Sequence, residues 1–340
     1  MSKAHETRRK ERLDRGIKVR TDGIYAINSW REIAYLLAPR VLLIGGLILL
    51  PLALSGAPYW QRVISIVCIY SLLAISFDFL AHFVGLVSLG GALYIGVGAY
   101  IAALLNTEYG FPPLATVPLA TILGGGLCTL LLWPCLPLRG VYFAIVSLMF
   151  PLLAARIIEA LDIFGGTDGV LGVEGLPNNW VEMYLLLGLV LLALFALRRL
   201  VDEDLGLVFR GVKDNDQAVR ASGINVNNYK GLGVFIASSL GCLGGAMLSH
   251  LYMWAGLSQF ALDFSIIPIA ATVVGGGGTL AGPVLGCLIL VPVSELLRDF
   301  GTLRIAVYAA ILCAFIVFKS EGLMSYGTRK YQQFERWVEI

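Results

Sequence analysis

The sequence predicts an all-α membrane protein with about ten transmembrane helices. Of its 340 residues, 58% are hydrophobic and only 14% are charged, and the mean hydropathy is +0.80. A soluble domain of this length needs far more charge to solvate its surface. Runs of about 18 or more apolar residues are typical of membrane-spanning helices, and this sequence contains many. The net charge of only +2 gives no indication of a nucleic-acid partner.

Ten apolar stretches account for the predicted helices. They cover approximately residues 38–57, 63–83, 86–105, 114–133, 141–158, 181–197, 231–252, 264–275, 283–297 and 304–318. The eighth and ninth are short, since a hydrocarbon core about 30 Å thick needs about 20 residues of helix. Short spans interrupted by glycine are typical of broken or re-entrant helices, which protein or a water-filled cavity must line. The count therefore stays open between eight and ten, with eight crossings expected if these two stretches pair as a hairpin.

The distribution of lysine and arginine predicts the orientation of the chain. Nine of these residues lie among the first 31 without any apolar segment, so residues 1–37 are interpreted as a basic cytoplasmic tail rather than a cleaved signal peptide. Ten crossings then place most of the remaining lysines and arginines in loops on that same side, as the positive-inside rule requires. We therefore predict a lipid-embedded transmembrane region over 38–318 and a second cytoplasmic tail over 319–340.

One long polar segment, residues 198–230, interrupts the apolar pattern. It carries eleven charged side chains, and each would cost about 2.5–3.5 kcal/mol at the centre of a bilayer. The segment is therefore predicted to be a cytoplasmic loop with a helix near Asn215–Ser222. Asp214 or Asn215 is expected to cap that helix, and Gly223 to end it in a left-handed conformation. A long ordered loop usually has a function, although a solvated connector also fits these residues.

Two glycine-rich segments contain candidates for a polar path through the membrane. The candidate residues are Ser88, Gly90, Gly91, Tyr94, Gly275, Gly276, Gly277, Gly278 and Thr279. Either these segments line the path with exposed backbone carbonyls and amides, or their glycines allow close packing between helices. The sequence does not decide between the two interpretations.

Two pairs of ionisable residues have helical spacing. Asp78 and His82 lie four apart and share a helix face. They fit either a proton relay within the membrane or a pair facing a loop near the cytoplasmic end of the helix. Arg156 and Glu159, three apart, are expected to pair at the surface or to contact another protein. Charge is otherwise scarce in the predicted spans, which disfavours a carrier coupled to protons or sodium.

The sequence offers no catalytic or cofactor-binding motif. The run GGGGTLAG at 275–282 lacks the lysine and the serine or threonine of a nucleotide-binding loop, so the chain is not expected to hydrolyse ATP. Its three histidines are far apart in sequence, and no metal site is predicted. Its six cysteines form no C-x-x-C pair, and we expect them to be small buried side chains.

Six segments, taken together, resemble one known family in the order in which that family carries them. They are GLVSLGGALYIGVGAYIAALL (85–105), RGVYFAIVSLMF (139–150), FGGTDGVLGV (164–173), DNDQAVRASGINVNNYK (214–230), VVGGGGTLAGPVLG (273–286) and FKSEGL (318–323). The set resembles the LivM-type permeases, the integral-membrane subunits of branched-chain amino acid ABC importers. Two departures are Gly91 where the family often has histidine, and Ser320 where it has proline.

A third departure concerns the E-A-A pattern of ABC importer permeases. The pattern appears here only as Gln217, Ala218 and Val219, with Gly223 at the expected offset and the acid displaced to Asp216. The resemblance implies that segment 198–230 is a coupling loop that docks on cytoplasmic ATPase subunits. The residues that it implies for this contact are Asp214, Asp216, Gln217, Ala218, Val219, Arg220 and Gly223.

The resemblance also implies partners and a location. It implies a multi-pass subunit of a bacterial inner membrane with both termini cytoplasmic. Two cytoplasmic ABC ATPase subunits, a second related permease subunit and a periplasmic substrate-binding protein would assemble with it. Thr167 and Asp168, in a predicted outer loop, would contact the binding protein. No cofactor is implied for this chain.

The cargo implied by the resemblance is a branched-chain or other small apolar amino acid, passed across the membrane by alternating access. Urea and short amides, which related importers carry, stay open as alternatives. Two rival classes also stay open. One is an ion-coupled secondary transporter that works without partners, and the other is a membrane scaffold that transports nothing.

Overall fold

The computed structural model describes residues 57–138 and 140–297, together with Gly45 and 322–324. The first and tenth predicted apolar stretches and both predicted tails lie almost entirely outside the described residues. Within the described residues the chain is helical, apart from loops and one short two-stranded ribbon. This confirms the predicted all-α membrane class.

Long helices follow the predicted apolar stretches. The helices are α1 (Pro58–Phe79), α2 (Gly91–Thr107), α3 (Pro113–Leu132), α4 (Val141–Leu161), α5 (Asn179–Asp202), α6 (Asp204–Asp214), α7 (Asp216–Ala221), α8 (Val226–Tyr252), α9 (Asp263–Gly275) and α10 (Ala281–Leu296). The strands are β1 (Val170–Leu171) and β2 (Trp254–Ala255). A π-helical turn, Leu80–Val84, comes directly after α1. Two 3-10 turns are also present: Trp133–Cys135 after α3, and Leu257–Phe260 before α9.

Five of these helices are long and apolar enough to cross a membrane, namely α1, α3, α4, α5 and α8. Helices α2, α9 and α10 are apolar but shorter. Together they confirm the eight apolar stretches predicted between residues 63 and 297. Helices α5 and α8 extend further into the polar segment than predicted, so that Lys230 belongs to α8 and is buried.

Helix α1 occupies the centre of the bundle. In its most apolar window 83% of residues are buried inside the protein, compared with 28% for α4. It contacts α5, α8, α9 and α10, while α8 packs on α2 and α3. Helix α4 instead exposes much of its apolar surface, as expected for a helix that faces lipid or another membrane subunit. Four of the cysteines are buried as predicted: Cys68, Cys128, Cys242 and Cys287.

Helices α2 and α8 approach each other at backbone distance. A Cβ atom on Gly98 of α2 would collide with the carbonyl oxygen of Cys242 in α8. One turn away, a Cβ atom on Gly245 of α8 would collide with the carbonyl oxygen of Ile95. Small residues at such points let membrane helices gain van der Waals contact along their length.

The two short helices, α9 and α10, pair as an antiparallel hairpin. Gly275 lies against the carbonyl of Gly282, and Gly286 lies against the carbonyl of Ala271. With 13 and 16 residues, the helices rise only about 20 and 24 Å. This arrangement supports the hairpin that the sequence left open, since neither helix alone reaches across a core about 30 Å thick.

Loops of the described residues lie at both ends of the bundle. At one end, β1 pairs with β2 through Val170 and Ala255, and Asn106 Oδ1 accepts a hydrogen bond from the Glu174 amide at 2.7 Å. At the other end, the end of α1 meets α6 and the loop between α9 and α10. The loops that carry β1 and β2 therefore meet at one end, whereas α6 and the loop between α9 and α10 meet the end of α1 at the other.

Candidate functional site

The polar segment between α5 and α8 is built on a packed helix. Helix α6 buries Gly206, Phe209 and Val212 and exposes its other face. The ring of Phe209 meets that of Phe79 in α1 edge to face, with centroids 5.7 Å apart. It also meets the ring of Tyr229 in α8 at 6.4 Å. Buried aromatic pairs contribute stabilising free energy beyond that of the area they bury. Helix α6 is therefore packed firmly against the end of the bundle, and it forms the platform on which the rest of the segment is built.

Helix α7 projects from that platform. Its N-cap is Asn215, whose side-chain oxygen accepts hydrogen bonds from the amides of Gln217 and Ala218, each at 3.1 Å. Gly223 follows the helix with a φ of +86°, and its amide donates to the Arg220 carbonyl. The predicted helix and its left-handed end are confirmed, and Asn215 is the cap of the two residues that the sequence left open. Gln217, Ala218, Arg220 and Ala221 of α7 are exposed, whereas Asp216 and Val219 are partly buried.

Two contacts between charged groups and their neighbours fix the segment to the bundle. The Lys213 ammonium group donates a hydrogen bond to the His82 carbonyl at 2.9 Å. Asp216 Oδ2 lies 3.8 Å from Lys230 Nζ, and both side chains are mostly buried. The base of α7 is therefore held by α8, while the helix itself stays accessible.

A cleft of about 370 Å³ separates this segment from the ends of the neighbouring helices. Its lining includes Asp214, Asp216 and Gln217 of the segment together with Leu138 and Gly140, which precede α4. Of the other residues predicted for ATPase contact, Ala218, Arg220 and Gly223 are exposed. Val219 packs partly against Gly211, where a Cβ atom would lie 3.3 Å from Val219 Cγ2. Five of the seven predicted coupling residues are thus exposed along α7 and its flanking turns, and Asp216 and Val219 are partly buried.

The first group of predicted path residues surrounds the N-terminus of α2. Ser88 Oγ lies 3.1 Å from the Tyr94 hydroxyl and accepts a hydrogen bond from the Gly90 amide at 3.3 Å. A Cβ atom on Gly91 would lie 2.7 Å from the Phe264 carbonyl oxygen. These contacts favour packing for Gly91, and they place Ser88 and Tyr94 beside a cavity of only about 10 Å³.

Two serines that the sequence analysis missed complete this group. Ser147 of α4 accepts a hydrogen bond from the Leu89 amide at 2.9 Å, and Ser265 of α9 accepts one from the Ala92 amide at 3.0 Å. They satisfy amides at the start of α2 that have no partner within the helix. The only signal in the sequence is a serine within an apolar stretch, which does not identify the helix that it caps.

The second group of predicted path residues forms the loop of the α9–α10 hairpin. Its shape depends on the carboxylate of Asp78, which is fully buried. Asp78 Oδ1 accepts a hydrogen bond from the Gly278 amide at 2.6 Å, and Oδ2 accepts one from the Leu280 amide at 3.0 Å. Thr279 is exposed, with its hydroxyl bonded to the Gly276 carbonyl. In the sequence, Asp78 and the glycines were considered as separate candidates. In the structure, Asp78 is hydrogen-bonded to the glycine-rich loop, which favours the interpretation that Asp78 faces a loop.

The predicted binding-protein contact lies at the opposite end of the bundle. Thr167 and Asp168 are exposed on a loop in which Gly165 and Gly169 have positive φ. The Asp168 carbonyl accepts a hydrogen bond from the Trp254 indole at 2.8 Å. The loop is thus fixed to the β2 segment while both side chains remain accessible. Arg156 and Glu159 form the predicted exposed pair at 2.7 Å.

A buried acid near this end was missed by the sequence analysis. Glu182 lies in the first turn of α5 and is 7% exposed, and its Oε1 atom has no hydrogen-bond partner among the described residues. It lines a cavity of about 40 Å³ together with Gln61, Arg62 and Ser65. Glu182 stands at the start of the predicted apolar stretch 181–197, where an acid gives no sign of burial, and residues of α1 and α8 enclose it.

Comparison with known proteins identifies the chain. A sequence model of the family described as "Branched-chain amino acid transport system / permease component" matches residues 60–318. The chain belongs to this permease family. The match includes all ten described helices except the first two residues of α1, and it confirms the resemblance to LivM-type permeases.

Named relatives agree with the family match. The permease is 25% identical over 287 residues to the high-affinity branched-chain amino acid transport system permease protein LivM of Salmonella typhimurium, which covers 75% of this chain and 68% of the relative. The protein of the same name in Escherichia coli matches with the same values. The probable branched-chain amino acid transport permease protein LivM of Methanocaldococcus jannaschii is 25% identical over 246 residues, covering 64% of this chain and 71% of the relative. No solved structure matches the chain significantly.

Removal of the Phe209 ring tests whether α6 is packed firmly against α1 and α8. Phe209→Ala is expected to weaken the docking of α6 by about 3–5 kcal/mol, because it leaves a cavity between α1 and α8. Hydrogen–deuterium exchange of residues 204–214 in the purified protein measures the effect. Leu207→Ala is the control, since Leu207 lies in the same helix and is 70% exposed. Equal exchange in the two variants would contradict the platform.

Proposed function

We propose that this permease is the membrane subunit of an ATP-driven importer and that α7 receives its ATPase subunits. The observation that carries the proposal is α7 itself, a capped helix on a packed platform with four of its six residues exposed. A short exposed helix with small side chains at Ala218 and Ala221 fits a groove on a partner protein. The nearby cleft gives the partner room beside Asp214 and Gln217.

The anchoring of α6 supports a mechanical role for the segment. A partner that moves α7 also pulls on Phe209 and Lys213, which contact α1 and α8. The movement therefore reaches the helices of the bundle instead of being absorbed by a loose connector, as rigid-body transitions require. The energy comes from the partners, because the sequence of this chain has no nucleotide-binding lysine motif.

The proposed orientation puts α7 in the cytoplasm, together with both termini of the chain. Lysines and arginines concentrate at this end, with Arg210, Lys213 and Arg220 in the described part, in agreement with the positive-inside rule. The opposite end then faces the periplasm of a bacterial inner membrane. There Thr167 and Asp168 are accessible to a substrate-binding protein.

A second, related permease subunit is proposed to cover the exposed apolar face of α4. Tyr142, Ile145, Met149 and Leu153 are each at least half exposed on this helix. A partner helix packed there gives a central path bounded by both subunits. Ser88, Gly90, Gly91 and Tyr94, and the loop with Gly275, Gly276, Gly277, Gly278 and Thr279, stay candidates for lining that path. The cavity of about 10 Å³ beside Tyr94 holds about one water molecule, so an amino acid passes only after these helices separate.

The proposed cargo is a branched-chain or other small apolar amino acid. The printed names of the relatives describe branched-chain amino acid transport. Within the described spans the charged groups are engaged with loops or lie at helix ends, as Asp78 and Glu182 do. An apolar side chain can move along such a surface without desolvating a buried charge.

Reconstitution tests the proposed function. The permease is placed in liposomes either alone or with two ATPase subunits, a sister permease and a binding protein, and uptake of radiolabelled leucine is measured. We expect uptake only with the full set and ATP. Uphill uptake by the permease alone, driven by an ion gradient, would establish the secondary transporter instead. Competition by urea and acetamide, measured in the same assay, decides between the two cargo classes.

A further inference from the structure

The end of α1 has an unusual form. Its last turn, Leu80–Val84, is a π-helical turn and is followed by Gly85 in a left-handed conformation, with a φ of +81°. Such turns are rare and often mark functional positions. Asp78 lies just before this turn, and His82 lies within it. The two residues connect to different parts of the protein.

Asp78 is connected to the hairpin loop. It has no exposed surface, and a buried carboxylate is costly unless it is hydrogen-bonded. Its two oxygens accept hydrogen bonds from the amides of Gly278 and Leu280. Leu280 has a φ of +57°, a conformation that side chains other than glycine rarely adopt. The carboxylate therefore holds the loop in a shape that its sequence alone does not favour.

His82 is connected on both sides. Its Nδ1 atom lies at ion-pair distance, 2.8 Å, from Asp78 Oδ1, outside hydrogen-bond geometry, and its ring occupies the space where a side chain on Gly277 would be. Its carbonyl, one of the last of the helix and so without a partner inside it, accepts the hydrogen bond from Lys213. One residue thus touches the hairpin loop with its ring and α6 with its backbone.

Helix α6 contacts the end of α1 at two further points. A Cβ atom on Gly85 would lie 2.9 Å from the Cα atom of Lys213, so the last turn of α6 rests directly on the end of α1. The guanidinium of Arg210 lies 6.0 Å from the centre of the Phe83 ring, within the range of a cation–π contact. A displacement of α6 must therefore displace the turn that carries His82.

We propose that Asp78 and His82 are a positioning pair that transmits movement of α6 and α7 to the loop 276–280, and through it to the α9–α10 hairpin. This inference rests on the proposed function, because it assigns the route by which the coupling segment acts. The route consists of three consecutive contacts: Lys213 to His82, His82 to Asp78, and Asp78 to the loop amides. Coupling carried by such contiguous contacts is tested by breaking the first and observing the last.

Hydrogen–deuterium exchange of the purified full-length chain in nanodiscs gives that test without any partner. Asp78→Ala is expected to raise the exchange rate of residues 276–281 about tenfold, since it removes two hydrogen bonds to a charged acceptor. Lys213→Met is expected to raise the same rate about threefold, although the lysine does not touch the loop. Lys213 is exposed, so this variant is expected to fold normally even if Asp78→Ala does not.

Arg198→Met is the matched control, since Arg198 is another exposed basic residue on the segment at this end of the bundle. We expect no change in exchange at residues 276–281 for this variant. Exchange that rises in Asp78→Ala but stays at the wild-type rate in Lys213→Met would overturn the inference. Asp78 would then brace the loop locally and transmit nothing.

The complete transporter supplies a second readout. Lys213→Met is expected to lower the number of leucine molecules transported per ATP hydrolysed about threefold, while ATP hydrolysis continues. The reason is that movement of α6 and α7 is then only partly transmitted to the helix bundle. An unchanged ratio in this variant, with a working wild type, would count against the positioning pair. A wild-type complex without ATP-driven uptake would instead count against the proposed function, so the two failures are distinct.

Discussion

Gly98→Leu is expected to prevent folding of the permease into a stable bundle. A side chain at this position meets the backbone of α8, with the Cα atom of Cys242 at 2.5 Å from the added Cβ atom. Backbone cannot move aside as a flexible side chain can, so the two helices must separate. Overpacking usually costs about 1–3 kcal/mol, and here separation also removes the contact at Gly245. The loss is large against a net stability of about 5–15 kcal/mol.

Fluorescence-detected size-exclusion chromatography and thermal melting in detergent measure this effect. Gly126→Leu is the control, because Gly126 also lies in a helix, α3, and its added Cβ atom meets no heavy atom of the described residues within 4 Å outside its own helix. We expect the control to elute as a single peak with a wild-type melting temperature. A Gly98→Leu variant that behaves in the same way would contradict the close contact between α2 and α8.

The sequence predicted the features that depend on neighbouring residues. Apolar runs of sufficient length become helices in a membrane because the backbone must satisfy its own hydrogen bonds there. The cap at Asn215 and the left-handed Gly223 depend only on the local chain, and both were placed correctly. The alternation of the predicted crossings divides the loops into two groups, and charge predicts which group faces the cytoplasm.

The sequence could not predict features that depend on distant partners. Asp78 accepts hydrogen bonds from the amides of two loop residues that lie 200 and 202 positions away in the sequence. Until its partners are known, a carboxylate in an apolar stretch is compatible with a proton relay, and equally with a structural residue that holds a loop in place. The same holds for Ser265, which caps a helix 173 residues away, and for Glu182, which is buried where α5 packs near α1 and α8. Periodicity indicates which face is apolar and not which helix covers it.

Ala218→Arg is expected to abolish ATP-driven uptake without altering the fold. Ala218 is exposed on α7, so a long charged side chain meets solvent in the isolated permease and adds no strain. In the assembled importer the same side chain meets the groove of the ATPase subunit and needs space and a counter-charge. Central interface positions typically contribute about 2 kcal/mol or more, and each 1.4 kcal/mol is about tenfold in affinity. We therefore expect uptake to fall at least about tenfold.

The control for this variant is Asn228→Arg, which adds the same side chain at another exposed position on the same side of the bundle, beyond α7. Both variants are expected to keep the wild-type melting temperature, because neither position is buried. Uptake of radiolabelled leucine and co-purification of the ATPase subunits then separate them: the control retains both and Ala218→Arg loses both. If Ala218→Arg retains both, α7 is a solvated connector, and the ATPase subunits must bind elsewhere on the permease.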